Sequence, residues 1–214
     1  MSIKDEEARY GVDIAVKRAD DLDRMMIEYT ASLENPHILD LGSGEGGQSL
    51  RLVKAGARVT AFDIDDYSEV FEKIRDSDDS LLTRIRFFQG DIVALPSVFN
   101  EQRFDACSMQ RVLHYVPYHQ AYFLLKDLKK RIEGKLYVSV SGLDSAIGNN
   151  YLDANKLAED RFCRLEPEFA DTFSIHEPLC LYTQEEFRTL LTNAGWEVLE
   201  CWTSEFGNNK AICK

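Results

Sequence analysis

The residues of this chain best suited to chemistry gather in one short run, His37-Ile38-Leu39-Asp40-Leu41-Gly42-Ser43-Gly44-Glu45-Gly46-Gly47. A strand of buried type runs there into a glycine-crowded turn, and glycines let a backbone bend sharply and approach a ligand closely. The helix expected over Gln48 to Ala55 aims its unpaired amide groups into the same space, so the strand-to-helix corner becomes a socket. A second strand, Arg58 to Ile64, carries Asp63 about twenty residues after the first glycine, where a carboxylate can accept two hydrogen bonds from ribose hydroxyls. A loop of this kind also occurs where a chain simply turns tightly, and Asp63 alone reads equally as a surface acid. Taken together, the turn and the acid point to a nucleotide-type ligand.

The elements that must position these residues alternate. From Asp13 to Tyr29 the apolar positions Leu22, Met25, Met26 and Tyr29 fall on one helical stripe, so one or two helices, within a cap spanning residues 1–35, lead into the first strand. Asp66 is placed to cap a helix carrying Val70, Phe71 and Ile74, and a third β-type run, Ile85 to Gly90, ends at Asp91. Phe104 to Met109 forms a fourth. The helix after it sets Ala121, Leu124, Leu125, Leu128 and Ile132 on one face before Gly134 ends it, and Lys135 to Ser141 reads as a fifth strand. Thr183-Gln184-Glu185-Glu186 is a capping box opening a helix with Phe187, Leu190, Leu191 and Ala194 inward, closed by Gly195. Trp196 to Thr203 and Lys210 to Cys213, joined by Phe206-Gly207-Asn208-Asn209, suit an antiparallel hairpin. The alternation argues a mostly parallel α/β sheet with helices on both faces.

The 214 residues fit one domain, 1–214. A net charge of -12 disfavours nucleic acid as a partner, because a phosphate backbone is on average repelled. Lys126, Lys129, Lys130 and Arg131 gather on one expected helix and read as a solvated face. The five cysteines, Cys107, Cys163, Cys180, Cys201 and Cys213, lack the paired spacing of a zinc or redox site and read as reduced thiols; no metal is expected. Met1 to Glu7 has no signal-peptide core and no segment has the apolar length of a bilayer span, so the expected location is cytoplasmic. Oligomeric state is not legible.

Between Gly142 and Leu181 the rhythm breaks, and Asn149, Asn150, Tyr151, Arg161, Phe162, Arg164, Phe169, Phe173 and His176 stand in the excursion. One this long inside a compact domain is usually functional, so 143–182 is expected to be a substrate-side insertion.

These pieces resemble the class I S-adenosylmethionine-dependent methyltransferases from Pro36 to the C-terminus. The resemblance is carried by Leu39-Asp40-Leu41-Gly42-Ser43-Gly44-Glu45-Gly46, Ala61-Phe62-Asp63-Ile64, Gln89-Gly90-Asp91-Ile92 and Phe104-Asp105-Ala106-Cys107-Ser108-Met109. It implies a Rossmann-like fold with a mostly parallel seven-stranded sheet and a C-terminal antiparallel hairpin. It implies S-adenosylmethionine as cofactor, with Gly42, Ser43, Gly44 and Gly46 beside its methionine part, Asp63 on the ribose, Asp91 on the adenine amino group, and Ile64 and Ile92 against the ring. Met109 and Gln110 close the fourth strand on the same edge and complete the implied set. Asp40, a carboxylate in an apolar strand, should accept hydrogen bonds from the glycine turn or face the cofactor's ammonium group.

His114, after the fourth strand, stands where methyltransferases of this type often place residues near the transferred methyl; it is a general base or acceptor contact, or else a hydrogen-bonded packing histidine. His176 is a second candidate base. Tyr115, Tyr151 and Arg161 are candidate acceptor contacts with structural alternatives, and Tyr10 or Arg18 is placed on the inner face of the N-terminal helices. Methyl transfer by in-line displacement needs chiefly positioning of the acceptor, for which a small molecule is favoured. Two other readings stay open: a silent binding or partner-activating protein with this fold, and an NAD-dependent oxidoreductase, since Gly42, Gly44 and Gly47 also satisfy G-x-G-x-x-G.

Overall fold

The computed structural model describes residues 10, 19–76, 83–95, 99 and 102–214. Arg18 and the expected helical residues 13–17 lie outside the described residues, as do residues 1–9.

Helix α1 (Asp21–Ala31) starts at Asp20, whose side chain accepts the Asp23 N–H while Asp23 returns the bond to the Asp20 N–H, a reciprocal cap. It leads into β1 (His37–Leu41), and α2 (Gly47–Lys54) rises from the glycine turn. The alternation continues through β2 (Arg58–Asp63), α3 (Ser68–Asp76), β3 (Ile85–Gln89), β4 (Phe104–Gln110), α4 (Tyr118–Arg131) and β5 (Ile132–Ser141). Helix α5 (Pro167–Phe173) lies in the excursion, and α6 (Gln184–Asn193), β6 (Val198–Thr203) and β7 (Asn208–Cys213) close the chain.

The seven strands form one sheet in the order β3-β2-β1-β4-β5-β7-β6. Pairings from β3 to β5 are parallel, and β7 lies antiparallel between β5 and β6, so the terminal hairpin is as the sequence implies. Side chains alternate across the sheet, and the apolar residues of β1 divide accordingly. Leu39 and Leu41 join Phe62, Met109, Leu125 and Leu190 on one face, while Ile38 joins Leu22, Leu52, Val59 and Phe71 on the other. Burial on both faces explains why these strands read as nearly continuous apolar runs.

Beyond shifts of two residues at the starts of β6 and β7, one boundary differs in kind from expectation. Ile132 opens β5 rather than ending a helix, and Gly134 lies within the strand. A Cβ at Gly134 would stand 2.1 Å from the Asp105 carbonyl oxygen, beside the register shift between β4 and β5. The glycine therefore marks a close approach of two strands, not a helix stop.

The excursion has its own small core of Tyr151, Leu165, Ala170, Ile175, Leu179 and Leu181. Its base is closed where Gly142 bridges Tyr182. All five cysteines are free thiols, with Cys107, Cys180 and Cys213 buried. Among the described residues no helix is long and apolar enough to cross a membrane.

Candidate cofactor crevice

The parallel strands β1, β2 and β4 end on one edge, and the glycine turn is fastened there by backbone bonds. Gly42 and Ser43 N–H both donate to the Phe62 carbonyl, at 2.8 and 3.2 Å. Gly42 has φ +70 and Gly46 φ +81, and a Cβ at Gly42 would lie 2.0 Å from Val112 Cγ2. The turn is therefore both left-handed and pressed against the loop after β4, so only glycine fits.

Asp63 receives two backbone donors, Gly44 N–H at 2.8 Å on one carboxylate oxygen and Asp65 N–H at 3.1 Å on the other. Burial raises its pKa, and these bonds oppose the rise. Each oxygen keeps acceptor capacity for a further donor. The Asp63 carbonyl accepts the Gly90 N–H at 2.7 Å, which brings the end of β3 alongside. Asp91 is exposed and its Oδ1 accepts the Val93 N–H at 2.9 Å. Ile64, 46% exposed, stands open to the edge, whereas Ile92 is folded into the core beneath it.

Asp40 is buried, and its Oδ2 accepts the Ser49 hydroxyl of α2 at 2.6 Å. The bond expected from the glycine turn thus comes from the first turns of the following helix, because Asp40 shares its face with Ile38 and that face carries α2. Gln110 reaches across to donate its Nε2 to Asp23 Oδ1 of α1, and Gln48 Nε2 donates to the Asp23 carbonyl at 3.5 Å. Burial raises the Asp23 pKa, and Arg51 acts in the opposite sense through space. Around this cluster Ser43 Oγ, Gln48 Oε1 and Arg51 Nη1 are buried without a partner. Buried polar atoms are nearly always satisfied, so these three orphans beside the glycine turn are candidates to meet a polar ligand. A zwitterionic amino-acid end suits them, with Arg51 for a carboxylate and the Asp23 and Asp40 region for an ammonium group.

Met109 does not join this edge: its side chain is 0% exposed, in the core. Alternation along β4 turns it to the α4 face and leaves Gln110 to face α1.

Beyond β4 the chain turns at Arg111, a non-glycine residue at φ +55, into a single 3-10 turn over Leu113–Tyr115. The Tyr115 hydroxyl donates to the Tyr10 carbonyl at 2.7 Å, and the two rings meet edge to face at 4.9 Å. Tyr10 also bridges Ile175 of the excursion. Three distant parts of the chain, the N-terminal segment, the end of β4 and the excursion, converge there.

The other candidates are placed as follows. His114 is 2% exposed, and its Nδ1 accepts the Ser141 N–H at 3.3 Å, which leaves the proton on Nε2. Burial, with the Arg111 charge, lowers its pKa to about 3. This burial and bond fit the hydrogen-bonded packing alternative for His114. Tyr151 is buried and donates its hydroxyl to the Leu179 carbonyl inside the excursion's own core. Arg161 forms a bidentate pair with Glu186 at 2.6 and 2.9 Å and also donates to the Leu181 carbonyl, so it ties the excursion to the start of α6 instead of reaching an acceptor. His176 is partly buried, and its carbonyl accepts from Arg164.

Asp23, Gln48, Arg51 and Arg111 did not stand out in the sequence. The first three carry no motif of their own and become neighbours only when α1 and α2 pack together; Arg111 is signalled only by its backbone angle.

Comparison with known proteins agrees with this geometry. Residues 38–133 match the family model described as a methyltransferase domain. No curated protein sequence matches the chain. Among solved structures, the chain is similar to a 1,6-didemethyltoxoflavin-N1-methyltransferase of Burkholderia thailandensis with its substrate and S-adenosylhomocysteine bound: 16% identity, TM-score 0.67, 97% of this chain and 78% of that one. An S-adenosylmethionine-dependent methyltransferase from Clostridium acetobutylicum gives 13% identity and TM-score 0.64 over 94% of each chain. The N,N-8-amino-8-demethyl-D-riboflavin dimethyltransferase of Streptomyces davawensis gives 17% identity and TM-score 0.61, covering 90% of this chain and 52% of that one. The matched domain, the sheet order and the glycine turn anchored on Asp63 agree: residues 38–133 are similar to a methyltransferase domain, within a chain whose fold is shared with S-adenosylmethionine-dependent methyltransferases.

Proposed function

We propose that this enzyme transfers a methyl group from S-adenosylmethionine to a small-molecule acceptor held between the end of β4 and the excursion. The observation that carries the cofactor half is the conjunction of the Gly44–Asp63 bond with the unpartnered buried atoms Ser43 Oγ, Gln48 Oε1 and Arg51 Nη1. S-adenosylmethionine supplies a sulfonium-bound methyl that leaves by in-line displacement. Asp63 orients the ribose, Asp91 meets the adenine amino group, Ile64 covers one ring face, and Arg51 with the Asp23–Gln110 pair receives the methionine end.

The acceptor half rests on Tyr10, Tyr115 and Ile175 meeting above the edge, where they can exclude water and hold a compact molecule. Two structural neighbours act on small heterocycles, a toxoflavin precursor and a riboflavin analogue, which supports a small acceptor. With His114 neutral and hydrogen-bonded, catalysis is by positioning, and the acceptor atom is one that attacks without a strong protein base.

Calorimetric titration with S-adenosylhomocysteine and with NAD, followed by turnover assays on pooled metabolite fractions, tests the reading. Binding of S-adenosylhomocysteine with methyl transfer to a small-molecule fraction is expected. Binding without turnover on any fraction favours the silent partner-activating reading, and NAD binding alone overturns the assignment.

A further inference from the structure

The opposite edge of the sheet holds a second cleft. His37 opens β1, Arg58 opens β2, Arg84 and Arg86 flank the start of β3, and Arg103 immediately precedes β4, so four parallel strands deliver one basic group or more each to their amino ends. These residues line a cleft of about 370 Å³ together with Thr60 and Gln102. The cleft opens at the amino ends of the strands, whereas the cofactor crevice opens at their carboxyl ends.

Arg84 donates to the Gly56 carbonyl at 3.3 Å and Arg103 to the Gln102 carbonyl at 3.2 Å. Among the described residues no carboxylate pairs with any of the four guanidinium groups, although the chain has 37 acidic residues against 25 basic ones. Asp105, at the same edge, gives its Oδ2 to the His37 N–H at 2.7 Å. The His37 imidazole registers the local field: burial lowers its pKa, and Arg58 and Arg86 lower it further against Asp105. Gln102 presents a second sign of a ligand, since its Oε1 is buried with no partner.

Arg58, Arg86 and Arg103 are exposed and Arg84 is half-buried, so water screens their mutual repulsion and an anion in the cleft would add to that screening. Guanidinium forks match phosphate oxygens two at a time, which favours phosphate over a monovalent anion. The overall charge of -12 works against an extended polyanion, whereas a compact one feels mainly charges within the screening length of about 8 Å. We propose that this amino-edge cleft is a second binding site, for a small molecule carrying a diphosphate or similarly dense phosphate group, separate from the cofactor crevice. Arg58 and Arg86 grip the phosphates, and the Gln102 amide contacts the remainder, while the buried Thr60 hydroxyl is engaged by the His37 ring at 2.9 Å.

Inorganic pyrophosphate is the probe, titrated calorimetrically into the full chain saturated with S-adenosylhomocysteine, at physiological ionic strength. One-to-one binding is expected, weakened at least about tenfold by Arg58→Ala with Arg86→Ala. Arg86→Lys, which keeps the charge and loses the fork, should weaken it less. Lys130→Ala, a charge change on α4, should leave it unchanged. No binding at millimolar pyrophosphate, undiminished binding in the double variant, or equal weakening by Lys130→Ala overturns the proposal. So does release of the pyrophosphate by S-adenosylhomocysteine, which would locate the probe in the cofactor crevice; failure of S-adenosylhomocysteine itself to bind overturns the functional reading instead.

Discussion

The backbone N–H of Gly44 donates to the carboxylate of Asp63 at 2.8 Å, so the loop after β1 holds in place the acid at the end of β2. The bond fixes the direction of the carboxylate before any ligand arrives, and the Asp65 N–H at 3.1 Å fixes its other oxygen. Preorganisation of this kind reduces the ordering cost of binding a diol.

Removing that acid should be felt chiefly in cofactor affinity. Asp63→Ala is expected to weaken S-adenosylhomocysteine binding by about 2–3 kcal/mol, the range for hydrogen bonds to a charged group. Isothermal titration measures it, and an unchanged dissociation constant would remove Asp63 from the site.

Among the described residues, Arg51 is the cation beside the glycine turn whose buried Nη1 has no partner. Arg51→Met, which keeps the aliphatic length, should weaken S-adenosylhomocysteine by about 1.5–3 kcal/mol and leave adenosine binding nearly unchanged. Equal losses for both ligands would show that Arg51 does not meet the amino-acid end.

For His114 the expectation concerns stability, not turnover. Its folded pKa of about 3 lies below the ordinary 6.5, so between these values the unfolded chain binds the extra proton. The stability contribution is complete above pH 6.5 and falls by about 1.4 kcal/mol per pH unit as pH drops toward 3. Urea unfolding at pH 7 and pH 5 should reveal this slope in the parent protein and a shallower one in His114→Asn. The same variant should turn over within about threefold of the parent, since loss of a true general base costs a hundredfold or more. A larger loss would restore the histidine to the chemistry.

Glu186 has two duties, capping α6 through the Thr183 N–H at 2.8 Å and pairing with Arg161. Glu186→Ala leaves a buried guanidinium uncompensated and should destabilise the protein by about 3 kcal/mol. A urea midpoint unchanged from the parent would show that the excursion is not held by this pair.

Gly42→Ala should destabilise the fold by about 2 kcal/mol or more and abolish cofactor binding, because the added methyl collides with Val112 and the residue is left-handed at φ +70. Pairing it with Val112→Ala relieves the collision but not the backbone strain, so only partial recovery of the melting temperature is expected.

The sequence by itself determined most of the elements and named the acids proposed for the cofactor. Period-3.6 stripes marked α1, α3, α4 and α6, though not α5 inside the excursion; apolar runs broken by Gly42, Asp63 and Asp91 marked the first strands, and Thr183 with Glu186 marked the start of α6, because each is a local pattern whose physics involves only nearby residues. The exception, Gly134, failed for the same reason: a glycine reads as a helix stop until the neighbouring strand at Asp105 is known. Tertiary structure alone decided what the polar side chains do. His114, Tyr151 and Arg161 have the right types for acceptor chemistry, yet Ser141, Leu179 and Glu186, contributed by other parts of the chain, take up their bonding atoms. Asp23, Gln48 and Arg51 became neighbours, and Arg58, Arg84, Arg86 and Arg103 a basic cleft, only when separate helices and strands were brought together. Burial and partnership depend on residues remote in the chain, and those two quantities decide whether a side chain is available for function.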